Sequence, residues 1–162
     1  MDNRQKNDYK ILYESLPDRY CRLLFMTGAP EERSFFLHQA PNIGRQIHVS
    51  LELATVLQNL PAGQRPKAVI EFFSRLGEDS SAVFLTDLEI LFDHSLNVDP
   101  VKLLKTAARN RAMVVDWPGE VDFAANALIY AIPGHAEYFS AELTDDLLFF
   151  DMSGRNSLNK NS

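Results

Sequence analysis

The chain has one cysteine, Cys21, among 162 residues. No disulfide can form within it, and Cys21 reads as a small packed residue at the entry to a strand rather than a reactive thiol. No apolar run reaches the ~18–20 residues that a bilayer-spanning helix needs. The polar opening MDNRQKNDYK has no apolar signal-peptide region. These absences predict a cytoplasmic location and no membrane partner. The four histidines, His38, His48, His94 and His135, are scattered without metal-ligand spacing, so they predict no metal centre. Basic residues are outnumbered: 16 Lys and Arg stand against 22 Asp and Glu, a net charge of −6. Bulk attraction to nucleic acid is not expected, and any such contact needs a local patch. No internal repeat and no linker mark a second domain.

What is present is enough apolar sequence, 46% of the chain, for one core. Tyr9, Leu12, Tyr13 and Leu16 recur at helical spacing, and Pro17 stops that helix. Residues 22–27 (RLLFMT) form a short apolar run ending at Gly28, which predicts a buried strand and a turn. Residues 31–38 suit a short helix with Phe35, Phe36 and Leu37 as its apolar part. A second strand is predicted over 46–49. Ser50 is a plausible N-cap for a helix carrying Leu53, Val56, Leu57 and Leu60, ended by Pro61. Pro66 opens a helix with Val69, Phe72, Phe73 and Leu76 on one face, closed by Gly77. Asp99 and Pro100 read as N-cap and first-turn proline of a helix with Val101, Leu104 and Ala108 inward. Residues 112–115, 128–132 and 147–151 are further strands. Strands alternating with helices predict an α/β fold, a parallel sheet with helices on both faces. The expected organisation is an N-terminal helix over 1–18, one domain over 19–152 and a polar, disordered tail over 153–162.

In such sheets ligands sit at the carboxyl ends of the strands. Gly28, Asp87 and Asp116 each follow such an end. The run from Ser81 to Glu89 has four apolar residues, Ala82 to Leu85, with Asp87 two positions on. That is the form of a Walker B strand, whose Asp holds the magnesium water shell while a nearby Glu polarises water. Glu89 lies two residues beyond Asp87, on the same side if the strand continues; it otherwise serves as a cap or turn. The matching phosphate loop, G-x-x-x-x-G-K-[ST], is degenerate. Gly28 is in place, but the second glycine is missing, Ser34 stands where the lysine belongs and Phe35 where the hydroxyl belongs. Glu31 and Glu32 bring negative charge to the position of phosphate. Like charges ~4 Å apart repel by about 4 kcal/mol at an effective dielectric near 20. Arg33 offsets this in part.

Four blocks carry a family resemblance: VSLELATVLQNLPAGQRP (49–66), FLTDLEILFDHSLNVDPVKLLKTAARNR (84–111), WPG (117–119) and LIYAIPGHAEYFSAEL (128–143). With them the chain resembles the BrxF-like P-loop proteins of type 3 BREX phage-defence systems, from about Arg19 to Tyr138. More broadly it resembles AAA+ ATPases of the replication-initiator type without their helical lid. The resemblance implies a P-loop NTPase-like core, with Gly28, Arg33, Ser34 and Asp87 at a degenerate nucleotide site. Asp116 is the nearer candidate for the polar sensor that related ATPases keep after the fourth strand. Trp117 reads as buried rather than ligand-stacking, and Pro133 to His135 as a turn. With the lysine and hydroxyl lost, no cofactor is expected. Magnesium would sit at Asp87 only if a nucleotide bound.

Lys102, Lys105 and Arg109 recur at helical spacing with Arg111 just beyond. They predict a basic stripe, either a solvated face or a contact for DNA phosphate, an acidic partner or a neighbour's site. Three functions follow. One is an accessory subunit acting through other BREX proteins or self-association. The second is an atypical ATPase using Asp87 and Glu89, with ATP and magnesium as cofactors. The third is a DNA-contacting accessory protein. The first is favoured, because the two losses remove most of the phosphate-binding chemistry.

Overall fold

A computed structural model describes residues 3–39, 44–76 and 81–153. Five strands form one parallel sheet: β1 (Leu23–Thr27), β2 (Arg45–His48), β3 (Val83–Thr86), β4 (Met113–Asp116) and β8 (Leu148–Asp151). Their spatial order is β2-β3-β4-β1-β8. Every residue of β1, β3 and β8 is buried, as expected of parallel strands covered on both faces.

Alternate residues of each strand serve opposite faces. Leu23, Phe25, Leu85, Val115 and Phe149 belong to the larger core cluster. That cluster is covered by α3 (Val49–Leu57), α4 (Arg65–Leu76) and α5 (Pro100–Ala107). Leu24, Met26, Phe84, Val114 and Phe150 form the second cluster with Tyr9 and Leu16. Tyr9 lies in α1 (Asn3–Ser15), so the N-terminal helix lies against this second face. α5 begins as its sequence demands. Asp99 accepts the Lys102 backbone N–H at 3.1 Å, and Pro100 takes the first turn.

The link from β4 to β8 departs from the expected pattern. Residues 128–132 were expected to add a strand to the main sheet. Instead β6 (Ala127–Tyr130) pairs antiparallel with β5 (Glu120–Asp122) and β7 (Phe139–Glu142) in a separate sheet. Its inner residues Leu128, Val121 and Phe139 meet the larger cluster. A small sheet rather than a helix therefore covers this part of the face. β5 and β7 escape a sequence reading because they are short and half polar, with outer residues exposed.

Two further corrections concern helices. α3 starts at Val49 with His48 as its cap residue, so Ser50 lies inside the first turn and is not the N-cap. Val56 is 45% exposed, and the buried stripe of α3 is Val49, Leu53 and Leu57. Gly77, the tail beyond residue 153 and the side chains of Phe36 and Leu37 lie outside the described residues. No described helix is long and apolar enough to cross a membrane.

Candidate functional site

The carboxyl ends of all five parallel strands carry polar groups: Thr27, His48, Asp87, Asp116 and Asp151. Gly28 follows β1 with φ 137°, a conformation that glycine takes without strain. Helix α2 (Pro30–Gln39) starts two residues later. The turn is closed by the chain's own side chains. The Ala29 backbone N–H donates to Glu32 Oε2 at 3.3 Å. A carboxylate thus stands at a helix N-terminus, where the backbone favours an anion. Arg33 donates through one terminal nitrogen to the Gly28 carbonyl at 2.9 Å.

Arg33 also pairs with Asp116. Its Nε lies 2.6 Å from Asp116 Oδ1, and the two side chains are only 11% and 19% exposed. The approach is ionic, with the N–H not well aimed at the oxygen. The carboxylate beside Arg33 is thus that of Asp116, not that of Asp87. Burial pushes the Asp116 carboxyl above its usual range; Arg33 opposes the shift, and the charges of Glu89 and Asp87 add to it. Asp87, Glu89 and Asp116 therefore share one electrostatic neighbourhood.

Asp87 itself turns away from strand geometry. β3 ends at Thr86, and Asp87 has φ 56°. Glu89 opens a short 3₁₀ turn over Glu89–Phe92. The strand does not continue to Glu89, so the expected alignment of the two carboxylates along one strand face is not realised. Asp87 is held by the end of β2 instead. His48 Nδ1 lies 2.8 Å from Asp87 Oδ2 and 3.2 Å from Thr86 Oγ1. The Ser50 N–H donates to the Asp87 carbonyl at 2.8 Å, and the Ser50 hydroxyl donates to the same oxygen. The Ile90 N–H in turn donates to Ser50 Oγ at 3.2 Å. His48 and Ser50 are thus site residues that the sequence reading left out. The available signal was that His48 lies next to last in the strand predicted over 46–49, close to a carboxyl end.

Ser34 is not brought to this cluster. It is exposed, and it lines a shallow surface with Pro30, Glu31, Phe35 and His38 on another face of α2. A cavity of about 760 Å³ opens instead between the Gly28 turn and the small sheet, with Thr27, Arg33, Phe123 and Ile132 among its lining. The Thr27 hydroxyl is buried and has no hydrogen-bond partner among the described residues. Trp117 is fully buried, stacked edge-on against Phe25 and Phe92, and donates to the Ile129 carbonyl at 3.0 Å. It is a core residue that fastens the small sheet to β4.

The basic stripe breaks up in three dimensions. Lys102 and Arg109 are exposed on α5 and just past its end. Lys105 is bound to Asp146 at 2.8 Å. Arg111 is 2% exposed and donates to the carbonyls of Leu76 and Ser81 and to Ser81 Oγ. It caps the end of α4 and is not a surface residue, which corrects its place in the stripe. The helix ends at Ala107, so helical spacing does not carry over to it.

Among the described residues, no three His, Cys, Asp or Glu side chains come together to hold a metal. No family model, no characterised protein and no solved structure matches this chain.

Proposed function

We propose that this chain is a non-catalytic binding subunit on a P-loop NTPase-like core, serving a BREX-type phage-defence assembly through protein contacts. One observation carries the reading. The position where a phosphate loop would hold an anion is taken by the chain's own groups, Glu32 on the Ala29 N–H and Arg33 on Gly28 and Asp116. A nucleotide would have to displace the Glu32 carboxylate and would find neither lysine nor hydroxyl to replace it. The sheet order supports the core assignment. It differs from the Rossmann and flavodoxin orders. Its inserted β4 brings Asp116 between the Gly28 turn and the Asp87 corner, where the resemblance expects a sensor.

The defence-system part of the proposal rests on the sequence blocks already quoted. The strand ends beside the cavity at the Gly28 turn are where a neighbour, another BREX protein or a second copy, docks.

Magnesium-ATP at about 1 mM is expected to leave the melting temperature nearly unchanged, because stabilisation follows RT ln(1 + [L]/Kd). A rise of several degrees overturns this reading in favour of an atypical ATPase. That second reading has its own support in the shared field of Asp87, Glu89 and Asp116. The partner half is tested by co-purification with the other BREX proteins and by light scattering for self-association. A monomer that captures none of them would defeat it.

A further inference from the structure

The opposite end of the sheet carries an unassigned surface. At the amino-terminal edge, the segment before β1 meets the segment between α5 and β4. The Arg22 N–H donates to the Ala108 carbonyl at 2.9 Å, and the Met113 N–H donates to the Arg22 carbonyl at 2.8 Å. This pairing gathers Arg19, Arg22 and Arg109 in a chain whose net charge is −6. Among the described residues none of the three arginines has a carboxylate partner. Arg19 Nε is buried without a hydrogen-bond partner among the described residues. Arg22 reaches the carbonyls of Arg19 and Asn110 only at 3.4 and 3.5 Å. Asp18 adds one opposing charge nearby in sequence. Asp146, whose field reaches Cys21 in the middle of the segment, is already held by Lys105.

In this setting stands Tyr20, 77% exposed, with the Arg109 guanidinium 5.6 Å from its ring centroid. The ring belongs to neither core cluster and pairs with that guanidinium instead.

We infer that Arg19, Tyr20, Arg22 and Arg109 form a binding surface for single-stranded nucleic acid. Unpaired arginines answer the phosphodiester backbone, and Tyr20 offers a face on which a base stacks. An acidic partner would be held by the arginines alone; the added ring, 77% exposed beside them, favours a partner with bases to stack. The surface is separate from the site at the carboxyl ends, since a strand of this length spans roughly 15 Å. It therefore goes beyond the protein-binding role and does not depend on it.

The probe is a labelled oligo-dT of about 16 nucleotides, the upper end of a single-strand site, followed by fluorescence anisotropy with the full chain. Binding is expected at about 50 mM salt, with log affinity falling linearly in log salt by about 0.7 per phosphate contact. Arg19→Glu with Arg109→Glu should weaken binding and reduce that slope by about 1.4, two contacts' worth. Tyr20→Ala should weaken it about tenfold, while Tyr20→Phe retains it. If the double reversal lowers the melting temperature, Arg109→Gln alone, at an exposed position, carries the test. No binding at low salt, or binding indifferent to the Arg109 variants, overturns the inference. So does polyglutamate binding as tight as oligo-dT together with a neutral Tyr20→Ala, which would make the partner an acidic protein. None of these outcomes bears on the ATP melting test.

Discussion

Arg33 and Asp116 join the turn after β1 to the end of β4 by a 2.6 Å ion pair. The pair sits at the turn between β1 and α2. It gives a local reason for this turn to hold its shape: the guanidinium is charge-balanced by the protein itself.

Breaking that pair has a signed pH consequence. The Asp116 carboxyl is raised above the usual 3.8 by burial, with Arg33 lowering it. The folded state therefore holds the proton longer than the unfolded one. The protonation-linked part of the Asp116 contribution is full below the unfolded value and is lost as pH rises through the folded one; the ion pair with Arg33 is a separate contribution. Arg33→Met removes the opposing charge, so the carboxyl should titrate higher still and the fall should extend to higher pH. NMR titration of the Asp116 side-chain carbon reads this directly, and a midpoint that drops would contradict it. At neutral pH, Asp116→Ala should cost about 2–3 kcal/mol, below the ~3–5 of a fully buried pair because both side chains keep some solvent contact.

Asp87 tests backbone against charge. With φ 56° it sits in a left-handed conformation that Asn tolerates and β-branched residues do not. Asp87→Asn should change stability by less than about 1 kcal/mol, whereas Asp87→Val should lose about 1–3 kcal/mol. Urea unfolding of the two variants decides the matter. Equal losses would mean that the conformation is not what limits this position.

Arg111 and Lys102 were read from sequence as members of one stripe, and they should behave oppositely. Arg111→Ala removes a buried guanidinium from the carbonyls of Leu76 and Ser81 and should cost about 3 kcal/mol or more. Lys102→Ala, at an exposed position, should stay within about 0.5 kcal/mol. Thermal melts of both suffice, and a stable Arg111→Ala protein would return that residue to the surface.

Gly119 is fixed by close approach. A Cβ there would stand 1.8 Å from the Ile129 carbonyl oxygen and 2.9 Å from Trp117 Nε1. Gly119→Ala should therefore push β6 off Trp117 and cost about 1–3 kcal/mol, as overpacking does. The expected sign is a lower melting temperature with a red-shifted emission from Trp117, the chain's one tryptophan. Unchanged emission and stability would mean that the small sheet is not seated on that indole.

Much of the main sheet was legible in the sequence because its strands are buried on both faces. Short continuous apolar runs such as 23–26 and 83–85 suit strands buried on both faces, and Thr27 and Thr86 mark their carboxyl edges. Asp99 with Pro100 fixed the start of α5 by local chemistry alone. The expected Asp87 and Asp116 positions at strand ends follow from the same local logic. What the tertiary structure decided is everything that depends on partners distant in the chain. Strand order set Asp116, not Asp87, beside Arg33. The end of α5 at Ala107 turned Arg111 inward to the carbonyls of α4. Pairing with β5 and β7 took residues 127–130 out of the main sheet. Local patterns record which groups must be buried. They do not record which distant charge, carbonyl or strand edge will meet them, because that is fixed only when the chain closes on itself.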